Sequence, residues 1–184
     1  VGDPGCTKSP AWKADKLVVF AHGLGRCKND VLALANGFAA AGYAVLAVDG
    51  PFAGARTQTT LGDQDLDGCQ DQPATPEFIA APGQSTNPFV IRDHLREWAL
   101  ELSQIAAAAK AAPAALVGGT STTPASAVAV VGHSWGGMAA SLGSGLLTGV
   151  SALVVSASSA ELGAVFTSGI SETVAAQLKA AGMD

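Results

Sequence analysis

Ala127-Val128-Ala129-Val130-Val131-Gly132-His133-Ser134-Trp135-Gly136-Gly137-Met138-Ala139-Ala140-Ser141 is the stretch on which the reading of this chain turns. Its first five residues are small or β-branched and apolar, a run too short for a helix and suited to a buried strand. Gly132-x-Ser134-x-Gly136 follows, and small residues then continue as a helix. In that order these features are the sequence form of a nucleophile elbow, a sharp turn that exposes a serine Oγ at the carboxyl edge of a sheet. The glycines relieve crowding, because the serine holds a strained backbone and its neighbours need almost no side-chain volume. The helix after Ser134 aims its N–H groups and positive end at charge developing there. A bare Gly-x-Ser-x-Gly arises by chance in a chain with 22 glycines. The apolar strand before it and Gly137-Met138-Ala139-Ala140 after it give it weight.

A serine nucleophile needs an oxyanion hole, a general base and an acid that orients the base. One oxyanion donor is the backbone N–H of Trp135, the residue after the nucleophile. The other is expected from the loop after an earlier strand. Lys16-Leu17-Val18-Val19-Phe20-Ala21 is such a strand, and it runs directly into His22-Gly23-Leu24-Gly25, which offers the Leu24 N–H. The base is missing from its expected place. The chain has three histidines, His22, His94 and His133, and none follows Ser134. His22 and His133 read as supports for the oxyanion loop and the elbow, and His94 as a helix-flank residue. Glu161 is a candidate acid, though it and Ser158 and Ser159 equally read as loop.

The rest of the chain supplies alternating strands and helices. Asn29 is expected to cap a helix carrying Val31, Leu32, Leu34, Ala35 and Phe38, with Gly42 just past its end. Tyr43–Val48 reads as a buried strand closed by Asp49-Gly50-Pro51. Continuous apolar strands joined by a helix imply parallel pairing with right-handed crossovers. Residues 52–86 form a polar, aperiodic, lid-like excursion. Within it Asp63-x-Asp65-x-Asp67-Gly68 begins like a calcium loop, but position 74 is Ala rather than Glu, and a solvated acidic loop is favoured. Asn87-Pro88 opens the best helix, with Ile91, Leu95, Trp98, Leu102 and Ile105 on one stripe as far as Lys110. The elbow helix is expected to end near Thr148-Gly149. Ala152-Leu153-Val154-Val155-Ser156 reads as a fourth buried strand, and Ser171 as the cap of a last helix over Glu172–Ala181.

Composition sets outer limits. Apolar residues make up 48% and charged residues 14% of 184, enough for one globular domain with a sizeable core. A net charge of −5 gives no basic footprint for nucleic acid. No run approaches the roughly 18 apolar residues of a membrane span. No signal peptide is visible, and Val1-Gly2-Asp3-Pro4-Gly5 reads as the start of a trimmed or internal segment. Cys6, Cys27 and Cys69 allow one internal disulfide in any of three pairings, with Cys6 and Cys69 in the more staple-like surroundings. None has metal-ligand spacing. Few lysines and abundant Ala, Gly, Ser and Thr favour an exported protein. No phosphate-binding Gly-x-x-x-x-Gly-Lys-Ser/Thr is present, which argues against phosphoryl transfer.

Residues 16–182 resemble the first two-thirds of an α/β-hydrolase. The residues that carry this are His22-Gly23-Leu24-Gly25, Asp49-Gly50-Pro51 with Gly54-Ala55-Arg56, and Gly132-His133-Ser134-Trp135-Gly136-Gly137. More narrowly, Arg92-Asp93-His94-Leu95-Arg96-Glu97 and the tail over 166–182 are similar to segments of bacterial extracellular lipases of the Pla-1/cef and VolA-like type. The sequence departs from them at His94, where Asn is usual, and at Trp135, where Leu is common. The resemblance implies an α/β-hydrolase fold, a mostly parallel sheet with helices on both faces, lacking its carboxy-terminal strands. Residues 1–184 would then be the amino-terminal two-thirds of one domain. The family order of Ser, Asp, His places both partners of Ser134 beyond Asp184.

The function expected is hydrolysis of a carboxylic ester, lipid-like by the same resemblance, through an acyl-enzyme on Ser134. Leu24 and Trp135 N–H groups hold the oxyanion, and His22 and His133 support them. No metal or organic cofactor is required. The expected partners are the ester substrate and the carboxy-terminal remainder of the same hydrolase, with neither nucleic acid nor a transmembrane segment. The expected location is secreted, periplasmic or on a bacterial cell surface. The rival is a catalytically silent binding module or fragment of the same fold, motivated by the missing histidine.

Overall fold

A computed structural model describes residues 15–58, 61–71, 77–80, 87–117, 123–159 and 179. Four strands form one sheet: β1 (Lys16–Ala21), β2 (Ala44–Ala47), β3 (Ala127–His133) and β4 (Ala152–Ser156). Their order is β2-β1-β3-β4, and every pairing is parallel. Three α-helices connect them: α1 (Leu32–Ala40), α2 (Pro88–Ala111) and α3 (Trp135–Leu142). This is the α/β architecture expected of the sequence.

The order decides where the helices lie. The chain steps outward from β1 to β2 in one direction and from β3 to β4 in the other. Right-handed crossovers then put α1 on one face and α2 and α3 on the other. Burial agrees. Leu17, Val19, Ala21, Val128 and Val130 share one core cluster with Ile91, Leu95, Trp98 and Leu102 of α2 and Met138, Ala139 and Ala140 of α3. No α1 residue belongs to that cluster, and α1 buries none of its residues.

Several elements differ from the expectation, each for a physical reason. Asn29 does not cap α1: it sits inside a 3₁₀ turn over Lys28–Val31, and its Nδ2 donates to the Gly68 carbonyl. Gly42 does end that helix in the left-handed region, at φ +81°. Asn87 caps α2, its Oδ1 accepting from Phe89 N–H at 3.0 Å. The apolar stripe of α2 drifts at its end, so Ile105 is half-buried and Ala106 and Ala109 take its place in the core. Helix α3 stops at Leu142, and a 3₁₀ turn over Ser144–Leu146 replaces its last expected turns. Strand β4 forms, but all five of its residues are exposed, because it is the outermost described strand on its side.

The disulfide is Cys27–Cys69. This is one of the three pairings left open, and not the one that the loop-like surroundings of Cys6 and Cys69 suited; Cys6 lies outside the described residues. A link across 42 residues restricts the unfolded chain by about 4 kcal/mol on a chain-entropy argument. Within the polar excursion, Phe78, Ile79 and Ala80 are buried, and Phe78 packs edge-on against both Trp98 and Trp135. Of the last expected helix only Lys179 is described, in helical conformation; its other residues and Glu161 lie outside the described residues.

Candidate active site

The loops after β1 and β3 leave adjacent strands in opposite directions, which opens a crevice at the carboxyl edge of the sheet. Ligands of open α/β sheets bind at such switch points. Ser134 stands on one side and His22–Gly25 on the other.

Ser134 joins β3 to α3 at φ 51° and ψ −117°, in the positive-φ region that non-glycine residues rarely adopt. Such a conformation costs about 1–3 kcal/mol and persists only where the surroundings enforce it. Here they do. The Ser134 N–H donates to Ser156 O at 2.8 Å, and the next strand thereby holds the turn. Its carbonyl accepts the first α3 bond, from Met138 N–H at 3.0 Å. Among the described residues, the other non-glycine residues at positive φ are Phe52 (56°) and Ala157 (49°), in the loops after β2 and β4, and Leu66 (59°), in the excursion over 61–71.

Each glycine of the elbow fills a place no larger residue could. A Cβ on Gly132 would lie 2.6 Å from Gly137 Cα, and one on Gly136 would lie 2.4 Å from Ala21 O. One on Gly137 would meet Ser158 Cβ at 2.8 Å. These contacts let α3 start directly over the end of β1, where Gly136 N–H donates to His22 O at 3.0 Å. The same closeness brings the His22–Gly25 loop to Ser134. A Cβ on Gly23 would lie 3.4 Å from Ser134 Cβ and 3.8 Å from its Oγ. Leu24 follows in a turn closed by Arg26 N–H on Gly23 O at 3.3 Å. Trp135 is buried, its N–H at the first turn of α3.

His22 is fully engaged. Its Nδ1–H donates to Gly23 O at 2.7 Å, and its Nε2 accepts from Gly50 N–H at 2.9 Å. These bonds fix a neutral tautomer and join the loops after β1 and β2. Burial holds its pKa below the ordinary 6.5, against the opposing pull of the Gly23 bond and of Asp49 and Asp30. His94 Nδ1–H donates to Phe78 O at 2.8 Å, with its ring against Phe52 and Phe78. His133 ends β3 exposed, its ring beside Gly23, and makes no side-chain hydrogen bond among the described residues. None of the three histidines is hydrogen-bonded to Ser134 Oγ among the described residues.

Two features had no place in the sequence argument. Asp49 is buried and accepts from Lys28 N–H at 2.8 Å, Lys28 Nζ at 2.5 Å and Ala55 N–H at 3.0 Å. Burial alone would raise its pKa, but these donors pull it below the usual carboxylate range. Gly54 at φ +50° turns the chain around that carboxylate, where a Cβ would lie 2.4 Å from Oδ1. Arg56 then forks onto Glu101 of α2, both contacts at 2.7 Å. The signal for this was Asp49-Gly50-Pro51 with Gly54-Ala55-Arg56, noted only as a resemblance. The second feature is Ser158, whose buried Oγ has no partner among the described residues.

Asp63, Asp65 and Asp67 place carboxylate oxygens within 4.8 Å of one another. Those oxygens accept backbone N–H groups of Asp67, Gly68 and Cys69, and Asp67 pairs with Arg26. Beside the oxyanion loop lies a cavity of about 10 Å³, between Leu24, Phe52, Phe78 and Trp98. That is room for about one water and not for an acyl chain.

No protein-family model matches the chain, and no curated protein matches it. Among solved structures it is similar to polyneuridine aldehyde esterase at 21% identity and a TM-score of 0.44, over 78% of this chain and 40% of that one. TT1662 from Thermus thermophilus is 20% identical at a TM-score of 0.43, over 69% and 41%. MenH from S. aureus is 14% identical at a TM-score of 0.45, over 94% and 55%. The chain thus spans 40–55% of the length of these structures. The functional reading rests on the geometry of the site itself.

Proposed function

We propose that this chain is the amino-terminal part of an α/β-hydrolase that cleaves carboxylic esters through an acyl-enzyme on Ser134. The observation that carries the reading is the strained Ser134 elbow, set within van der Waals reach of the His22–Gly25 loop at the switch point. A fold with no use for this half-buried serine has no reason to hold it at positive φ.

In this mechanism Ser134 Oγ attacks the acyl carbon as a base takes its proton. The Leu24 and Trp135 N–H groups stabilise the tetrahedral oxyanion. Collapse expels the alcohol, which receives that proton, and leaves the acyl group on Ser134. Water then attacks the acyl-enzyme in the same way and releases the acid. By the family resemblance, the base and its orienting acid come from polypeptide beyond residue 184; the hydrogen bonds of His22 and His94 commit them elsewhere, and His133 is not hydrogen-bonded to Ser134 Oγ among the described residues. The open flank at β4 supports a missing partner on that side, because parallel strands are ordinarily covered on both faces. The lipase resemblance supports a lipid-like ester. A buried disulfide supports an exported, oxidising location. The chemistry needs no metal or organic cofactor.

The second reading is a silent binding module, and the same three histidines favour it for this chain alone. Intact mass before and after a fluorophosphonate probe separates the two. The enzyme reading expects a companion polypeptide and one adduct, lost in Ser134→Ala. A lone 18.2 kDa chain without an adduct would restrict the activity to a longer parent.

A further inference from the structure

We propose that residues 61–71 form a clasp that fixes the oxyanion loop, with Cys27, Cys69, Arg26 and Asp67 acting as positioning residues for the Leu24 N–H. This rests on the assignment of Ser134 and Leu24 above and adds how that site is kept in register.

The two limbs of the oxyanion loop are held differently. The upstream limb is anchored by β1 and by buried His22, with hydrogen bonds at both ring nitrogens. The downstream limb has less of its own: Leu24 is partly buried against the core, and Arg26 N–H donates to Gly23 O. Gly25 sits at φ +70°, and a Cβ there would meet nothing within 4 Å. Helix α1, which follows, buries no residue. Lys28, just past the turn, is tied to Asp49 by its N–H and its Nζ, which holds the limb from the other side.

What grips the turn itself comes from residues 67–69. Cys69 is disulfide-bonded to Cys27, Asp67 pairs with Arg26, and Gly68 O accepts from Asn29. The fork of Arg26 is shared, with Nη2 on Asp30 Oδ1 at 2.6 Å, so its guanidinium bridges both loops. The clasp is rigid because it bonds to itself. Gly68 N–H donates to Asp63 Oδ2 at 2.9 Å, Cys69 N–H to Asp67 Oδ1 at 2.8 Å, and Asp71 N–H to Gly62 O at 2.7 Å. Both cysteines are buried, which makes the bond a lasting staple and not a readily reduced switch.

Catalysis supplies the need. An oxyanion donor acts only at hydrogen-bond distance from the developing charge, and displacement by about 1 Å costs on the order of 100-fold in rate. A free-swinging downstream limb would let Leu24 drift by that much.

The test compares the full chain, with whatever polypeptide accompanies it, as wild type and as Cys27→Ala/Cys69→Ala. Amide hydrogen exchange over residues 22–28 is expected to speed up at least about tenfold, with β1 and β3 still protected. The maximal rate of fluorophosphonate labelling is expected to fall about as much, at unchanged half-saturating probe concentration. Unchanged exchange over 22–28, or equal acceleration in the strands, would overturn the clasp. Should that variant fail to fold, Asp67→Asn keeps the disulfide and decides by the same criteria. Wild-type protein that takes no label although a companion polypeptide is present sinks the hydrolase reading instead, while the exchange comparison still judges the clasp.

Discussion

His22 shows how one buried side chain can hold two loops together, through Gly23 O and Gly50 N–H. Its Nε2 can accept from Gly50 N–H only while the ring is neutral, and protonation would place a charge in the core. Because burial lowers the folded pKa below the ordinary 6.5, the unfolded chain binds the proton first as pH falls. The stabilisation is therefore complete above about pH 6.5 and is lost progressively as pH drops toward the folded pKa. Thermal unfolding between about pH 8 and pH 5 should show a midpoint that falls below about pH 6.5, a fall that His22→Gln flattens. An equally steep slope in the variant would assign the pH dependence to other groups. The carboxylate of Asp49 acts with the same sign but lower on the scale, below the usual carboxylate range.

At the scale of elements, the site depends on how closely α3 approaches the end of β1. Gly136 is the contact point, where a Cβ would press on Ala21 O, Ala21 C and His22 O, all backbone atoms that cannot rotate away. Gly136→Ala should destabilise by about 2–3 kcal/mol, as overpacking against a rigid neighbour does. It should also slow labelling at Ser134, because the relief is a shift of the His22–Gly25 loop. Denaturant unfolding and labelling on the same preparation check this; a full-rate, fully stable variant would mean the elements have slack. The turn at Ser134, the glycine that ends α1 and the cap of α2 were legible in the sequence because each is local: Gly132 packs on Gly137, Gly42 follows Ala40 closely, and Asn87 bonds Phe89, whereas Asn29, expected as a cap, bonds distant Gly68 instead. The Cys27–Cys69 bond and the Arg26–Asp67 pair were not, since they join positions 41 or 42 apart and no local pattern chooses among three cysteines. Phe78 was hidden in a polar stretch, although it packs between Trp98 and Trp135.

For the whole molecule, the unusual feature is apolar surface at opposite flanks of the described sheet. Leu32 of α1 is 70% exposed, and Val154 and Val155 of β4 are 52% and 46% exposed. The sequence alone reads Ala152–Ser156 as a buried strand, and its composition is that of one; what differs is the neighbour it lacks among the described residues. An outer strand of this kind presents unpaired backbone groups beside apolar side chains, a template for pairing with another chain. Free of any companion polypeptide, the 184-residue chain should self-associate as its concentration rises. Val154→Lys with Leu32→Lys should shift it toward monomer, with stability changed by no more than about 0.5 kcal/mol per site, since neither side chain is in the core. Sedimentation velocity over a concentration series reads the association, and thermal unfolding reads the stability. If the wild type sediments as a monomer throughout and the lysine pair destabilises it strongly, these side chains are already covered, and the open flank ceases to support a partner on that side.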